Sequence, residues 1–92
     1  PHLHRRMSRR LVFDRDGWAD YVSWQAEDRK TLRRINILTA EILRDPFGGL
    51  GKPEPLKHQL GGAWSRRIDE VNRLFYLVTD EEIRILQARY HY

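Results

Sequence analysis

Ninety-two residues, 40% apolar and 33% charged, suffice for one small core and are too apolar for a disordered chain. There is no cysteine, which excludes disulfides and thiolate metal sites and suits a reducing cytoplasm, and no apolar run reaches membrane-spanning length. A formal charge of +4 favours a polyanionic partner without demanding one.

Pro1-His2-Leu3-His4-Arg5-Arg6 has no periodicity and precedes Met7. Residues 1–8 are therefore expected to be a disordered or expression-derived leader, with a single domain over 9–92. Leu11-Val12-Phe13 predicts a first strand buried in a sheet, and Asp14 or Asp16 can cap the helix that follows. Trp18, Tyr21, Val22 and Gln25 recur at i, i+3, i+4 and i+7, which predicts that Trp18 and Tyr21 face the core. Trp24 falls off that stripe and is expected to cover its edge. Asp28 is the expected N-cap of a second helix carrying Leu32, Ile35, Leu38 and Ile42 at helical spacing, and Pro46 sets its stop. Arg29, Lys30, Arg33 and Arg34 form a basic cluster on that helix, either a solvated face or a surface that tracks phosphates.

Residues 46–62 hold most of the glycines and three of the four prolines, a long loop for so small a chain. In Pro53-Glu54-Pro55 the backbone is stiffened on both sides of one carboxylate. A general base needs such fixity, although on spacing alone a rigid turn with an exposed Glu is the simpler reading. Three strand-like runs follow, Trp64 to Asp69, Leu74 to Val78 and Ile83 to Tyr90, with turns over Asp69–Asn72 and Asp80–Glu82. The predicted class is α+β: a short N-terminal strand, two helices, then an antiparallel meander of three or four strands with the helices on one face.

Ser65-Arg66-Arg67 and Arg73 straddle the first hairpin, and an odd-length connection puts Arg67 and Arg73 on one face of the sheet. Two guanidiniums so placed can grip a phosphate, whereas a lone arginine usually makes a surface salt bridge, here with Asp69, Glu70 or Glu81. If the last strand keeps its alternation, His91 shares a face with Arg89, while Tyr90 and Tyr92 point the other way. Lys52 and Lys57 flank Glu54. No metal-ligand spacing occurs, so no cofactor is expected, and Pro53 after Lys52 breaks the phosphate-loop pattern GxxxxGK[ST]. One fixed carboxylate, several cations and an imidazole are the parts needed for metal-free RNA cleavage.

Gly51-Lys52-Pro53-Glu54-Pro55-Leu56-Lys57-His58, Trp64-Ser65-Arg66-Arg67-Ile68, Asn72-Arg73-Leu74 and Arg89-Tyr90-His91-Tyr92 together strongly resemble the YoeB (Txe) toxins of the RelE superfamily. The resemblance runs from about Leu11 to Tyr92 and includes the Trp18, Tyr21, Trp24-Gln25 spacing. It implies a microbial-ribonuclease-like fold, cleavage of mRNA on the ribosome in the bacterial cytoplasm, and neutralisation by a YefM-like antitoxin; homodimerisation stays open. It also implies Glu54 as general base, His91 as general acid and Arg73 as the arginine that stabilises the phosphate. Lys57, Arg67 and Tyr92 match positions lining the site, and Lys52 is expected to help bind substrate. Asn72 departs from relatives that carry histidine before this arginine, outside the catalytic set.

Two rival readings remain. One is a non-catalytic RNA- or ribosome-binding module using the same basic surface. The other is a transcriptional regulator, against which stands the lack of an evident recognition helix with its turn.

Overall fold

The computed structural model describes residues 9–56 and 61–90; the expected leader and, among the site residues, Lys57, His91 and Tyr92 lie outside the described residues, as does His58. In chain order the elements are β1 (Arg10–Phe13), α1 (Arg15–Glu27), α2 (Arg29–Arg44), β2 (Glu54–Pro55), β3 (Ala63–Arg67), β4 (Arg73–Val78) and β5 (Glu82–Gln87). The strands form one sheet in the order β1-β5-β4-β3-β2. The segment β3-β4-β5 is the expected antiparallel meander, β2 extends it antiparallel to β3, and β1 pairs parallel to β5. A parallel pair needs a long connection; here the two helices carry the chain from β1 to β2 at the opposite edge, covering one face of the sheet, and the meander then returns to β5. The α+β class is as expected.

The second helix follows its sequence pattern. The Asp28 carboxylate accepts the amide protons of Lys30 and Thr31 at 3.1 and 3.3 Å and the Thr31 hydroxyl at 2.9 Å. Those bonds, led by the Thr31 hydroxyl, hold its carboxyl below the ordinary range. Ile35, Leu38 and Ile42 are buried, and the helix ends at Arg44, just before the Asp45-Pro46 bond.

The first helix departs from its pattern. Its buried positions are Gly17, Asp20 and Trp24, whereas Trp18 is 52% exposed. The expected stripe is corrected in part: Tyr21 packs against the core as expected, but Trp24 is the buried aromatic, and Trp18 lies outside, stacked on Tyr21 at 5.8 Å and edge-on to Phe13 at 5.5 Å. The cause is close approach of backbones. A Cβ on Gly17 would stand 2.3 Å from the Ile85 carbonyl oxygen, so only glycine lets α1 lie this near β5. The face that touches the sheet is therefore marked by a glycine and an aspartate, not by apolar periodicity. Asp14 stands at the N-cap, but its carboxylate pairs with Arg84 at 2.8 Å instead of with helix amides.

Three strand expectations also change. β1 lies at the sheet edge with Arg10 and Leu11 exposed, so it is not a buried strand. β5 stops at Gln87, short of the expected end at Tyr90, and the face expected for His91 lies outside the described residues. Glu54–Pro55, read as a rigid turn, forms an edge strand, where a proline costs the ladder nothing on its solvent side. The core joins Trp24, Ile35, Leu38 and Ile42 to Leu74, Tyr76, Ile83 and Ile85 from the sheet.

Candidate active site

The face of the sheet turned away from the helices carries the polar groups. Glu54 pairs with Ser65 across β2–β3, and Arg67 pairs with Arg73 across β3–β4. Directly paired residues share a face, and alternation adds Ser65 to the face of Arg67. Leu74 and Tyr76, on the opposite face, enter the core. The expectation that Arg67 and Arg73 share a face thus holds.

Arg73 Nη1 donates to Glu54 Oε1 at 2.8 Å and to Ser65 Oγ at 3.3 Å. Both members of the ion pair stay partly open to water, the Glu54 side chain more so than that of Arg73. Such an exposed pair is worth roughly 0–1 kcal/mol, so an arriving anion can take the guanidinium away cheaply. Arg67 is exposed at the end of β3, and its carbonyl accepts a hydrogen bond from Arg34 Nη2 at 3.2 Å. Arg34 therefore joins the basic cluster on α2 to the edge of the site, while Arg29, Lys30 and Arg33 face solvent.

Glu54 owes its position to Arg66, whose side chain points into the core face. Arg66 is fully buried; its Nε donates to the Tyr76 hydroxyl at 3.0 Å, Nη1 to the Leu50 carbonyl at 2.9 Å and Nη2 to the Asp45 carbonyl at 2.7 Å. The Tyr76 hydroxyl in turn donates to the Pro46 carbonyl at 2.8 Å. Burial pushes that hydroxyl's pKa up, and the Arg66 cation offsets this only in part. One guanidinium and one phenol thus hold the loop between α2 and β2 at three carbonyls. Gly51, at φ +86°, then lays its carbonyl on the Arg67 amide at 2.7 Å. Lys52, at φ +52° and exposed, turns the chain into Pro53 and Glu54. A non-glycine residue at such φ persists only where its surroundings hold it there.

Of the site residues expected from sequence, the structure brings together Glu54, Arg67 and Arg73, with Lys52 two residues before the carboxylate. The expectation of arginine salt bridges with Asp69, Glu70 or Glu81 is corrected: Arg66 is buried on carbonyls, Arg73 pairs with Glu54, and Asp69 closes its own turn on the amides of Val71 and Asn72. Ser65 went unrecognised as a partner of Arg73, although its i, i+2 spacing to Arg67 on a strand was the available signal. Among the described residues no three His, Asp or Glu side chains converge to hold a metal ion, and no helix is long and apolar enough to cross a membrane.

Comparison with known proteins identifies the family and the fold. Residues 13–92 match the family model of the YoeB-like toxin of bacterial type II toxin–antitoxin systems. The chain belongs to that family. Among its YoeB relatives, the toxin of Streptomyces coelicolor is 59% identical over 83 residues, spanning 90% of this chain and 99% of the relative. A YoeB dimer from Staphylococcus aureus superposes with a TM-score of 0.84 at 40% identity, covering 92% of this chain and 99% of that one. The YoeB–YefM complex of the same organism gives 0.84 at 39% identity, covering 91% and 98%. The sheet of this chain carries Glu54, Arg67 and Arg73 on one face, with the buried Ser65 among them.

Proposed function

We propose that this chain is a metal-independent toxin endoribonuclease that cleaves mRNA on the ribosome in the bacterial cytoplasm and is held inactive by a YefM-like antitoxin. The observation that carries the reading is the 2.8 Å contact between Arg73 and Glu54 on an open, cation-rich sheet face. In the resting chain the carboxylate and guanidinium satisfy one another. A phosphodiester entering the site offers Arg73 a stronger anionic partner, and the released Glu54 oxygen is free to accept a proton.

Glu54 then takes the proton of an RNA 2′-hydroxyl, whose oxygen attacks the adjacent phosphorus. Arg73, with Arg67 beside it, meets the charge gathering on the phosphoryl oxygens. His91 protonates the leaving 5′ oxygen, so the products are a 2′,3′-cyclic phosphate and a free 5′-hydroxyl. Lys52, Lys57 and Tyr92 are assigned to holding the RNA. Each positioned acid or base contributes about 10²–10⁴ in rate, and its fixed cations supply the charge stabilisation that many nucleases draw from metals.

The S. aureus relatives, one a YoeB dimer and the other a YoeB–YefM complex, support an antitoxin and a homodimer as partners of this chain. Incubation with translating ribosomes and message, followed by end-group analysis, tests the reaction. Fragments with cyclic 3′ ends and 5′-hydroxyls are expected; ribosome binding without fragments would point to a non-catalytic binding module.

A further inference from the structure

Beyond Gln87 the chain leaves the sheet, yet the next three residues are each held by a different group. Ala88 donates its amide proton to Asp20 Oδ2 at 2.9 Å and accepts the Trp24 indole proton on its carbonyl at 2.8 Å. Arg89 lies 4.1 Å over the Trp24 ring, donates to Ser23 Oγ at 2.8 Å and ion-pairs with Glu27. These contacts tie the segment to α1. Tyr90 is tied to the opposite side: its amide proton goes to Asn72 Oδ1 at 2.7 Å.

Asn72 is itself immobilised. Its backbone amide donates to Asp69 Oδ1 at 2.7 Å, its side-chain Nδ2 donates to Asp69 Oδ2 at 3.1 Å, and its carbonyl accepts from the amides of Ile68 and Asp69 at 2.9 and 3.2 Å. With Nδ2 committed to a carboxylate, only the amide oxygen is left to face the Tyr90 N–H, so the side-chain orientation is fixed by its partners. Asn72 immediately precedes Arg73, and Tyr90 immediately precedes His91. One side chain thus spans the two backbones from which the phosphate-gripping arginine and the acid of the proposed reaction depart.

We propose that Asn72 is a positioning residue: by holding the Tyr90 amide it sets the register between β4 and the segment carrying His91. The inference rests on the reaction assigned above for its effect on rate, but the Asn72–Tyr90 bond can be measured without any substrate. Misplacement of a reacting group by about 1 Å costs on the order of 10²-fold in rate, so a single hydrogen bond here acts on turnover more than on binding.

The test combines amide hydrogen exchange with steady-state cleavage of ribosome-bound message by the full chain. Asn72→Ala is expected to speed exchange at Tyr90 about tenfold while protection along β4 persists. It should lower kcat by roughly 10–100-fold and leave KM within about threefold. Asn72→Asp combined with Asp69→Asn, which keeps an acceptor for Tyr90 and a donor–acceptor pair across the turn, should recover most of kcat. If protection along β4 collapses in the alanine variant, Asn72→Ser, able to close the Asp69 turn but too short for Tyr90, is held to the same expectations. Unchanged exchange at Tyr90, faster exchange with unchanged kcat, or a loss confined to KM would each overturn the proposal. A wild-type chain that cleaves nothing would defeat the assigned reaction instead, while exchange at Tyr90 still decides whether Asn72 holds that segment.

Discussion

Arg73 and Glu54, 19 positions apart in the chain, meet at 2.8 Å because β3 stands between their strands and brings both to one face. The contact is open to water on both sides, which limits what it adds to the fold. Glu54→Gln or Arg73→Met in the free chain should therefore change unfolding free energy by no more than about 1 kcal/mol, measured by urea denaturation. A loss of several kcal/mol would make the pair a structural clamp and remove the idea that an arriving phosphate releases it easily.

Arg66 is the reverse case. It is fully buried and satisfies two carbonyls and the Tyr76 hydroxyl. Arg66→Met fills much of the volume but strands those groups, and should cost about 3 kcal/mol or more. Tyr76→Phe removes only the hydroxyl shared by Arg66 and the Pro46 carbonyl and should cost about 1–2 kcal/mol. Thermal melts of the two variants check the order; an Arg66→Met chain as stable as wild type would refute the clamp.

The two indoles separate in the same way. Trp24 is 6% exposed and hydrogen-bonded to Ala88, whereas Trp18 is 52% exposed. Trp24→Ala should destabilise by about 3–5 kcal/mol and Trp18→Ala by about 1 kcal/mol or less, read from denaturation midpoints. The opposite order would restore the apolar stripe expected from sequence.

That reversal shows where the sequence is legible. Ile35, Leu38 and Ile42 announce themselves because α2 meets the sheet through side chains, and an amphipathic pattern records that contact. α1 meets β5 through the backbone at Gly17 and holds the Ala88 amide just beyond that strand with the Asp20 carboxylate, neither of which registers in a hydrophobic pattern. The site follows the same rule. Arg67 and Arg73 share a face by strand alternation, which is countable from the chain. The burial of Arg66 and the bond from Asn72 to Tyr90 depend on distant segments, and no local spacing encodes them.

The Asp69 turn should respond to acid. Burial works against its charged form, but the hydrogen bonds from Asn72 and Val71 outweigh it and hold the carboxyl below its ordinary value of 3.8. A depressed folded pKa adds stability above the unfolded value and loses it as pH falls through the folded one. Between about pH 5 and about pH 2.5, the wild-type chain should lose more of its urea midpoint than Asp69→Asn does. Equal losses would show that the turn does not depend on the charge.

The most direct test of the account is the single-turnover cleavage rate on translating ribosomes for wild type, Glu54→Gln, Arg73→Met and the double variant, alongside ribosome co-sedimentation. Each single change should lower the rate by about 10²–10⁴, the double change by less than the product of the two, and co-sedimentation should stay near wild type. Cleavage within about threefold of wild type in Glu54→Gln, with cyclic-phosphate ends still formed, would contradict it.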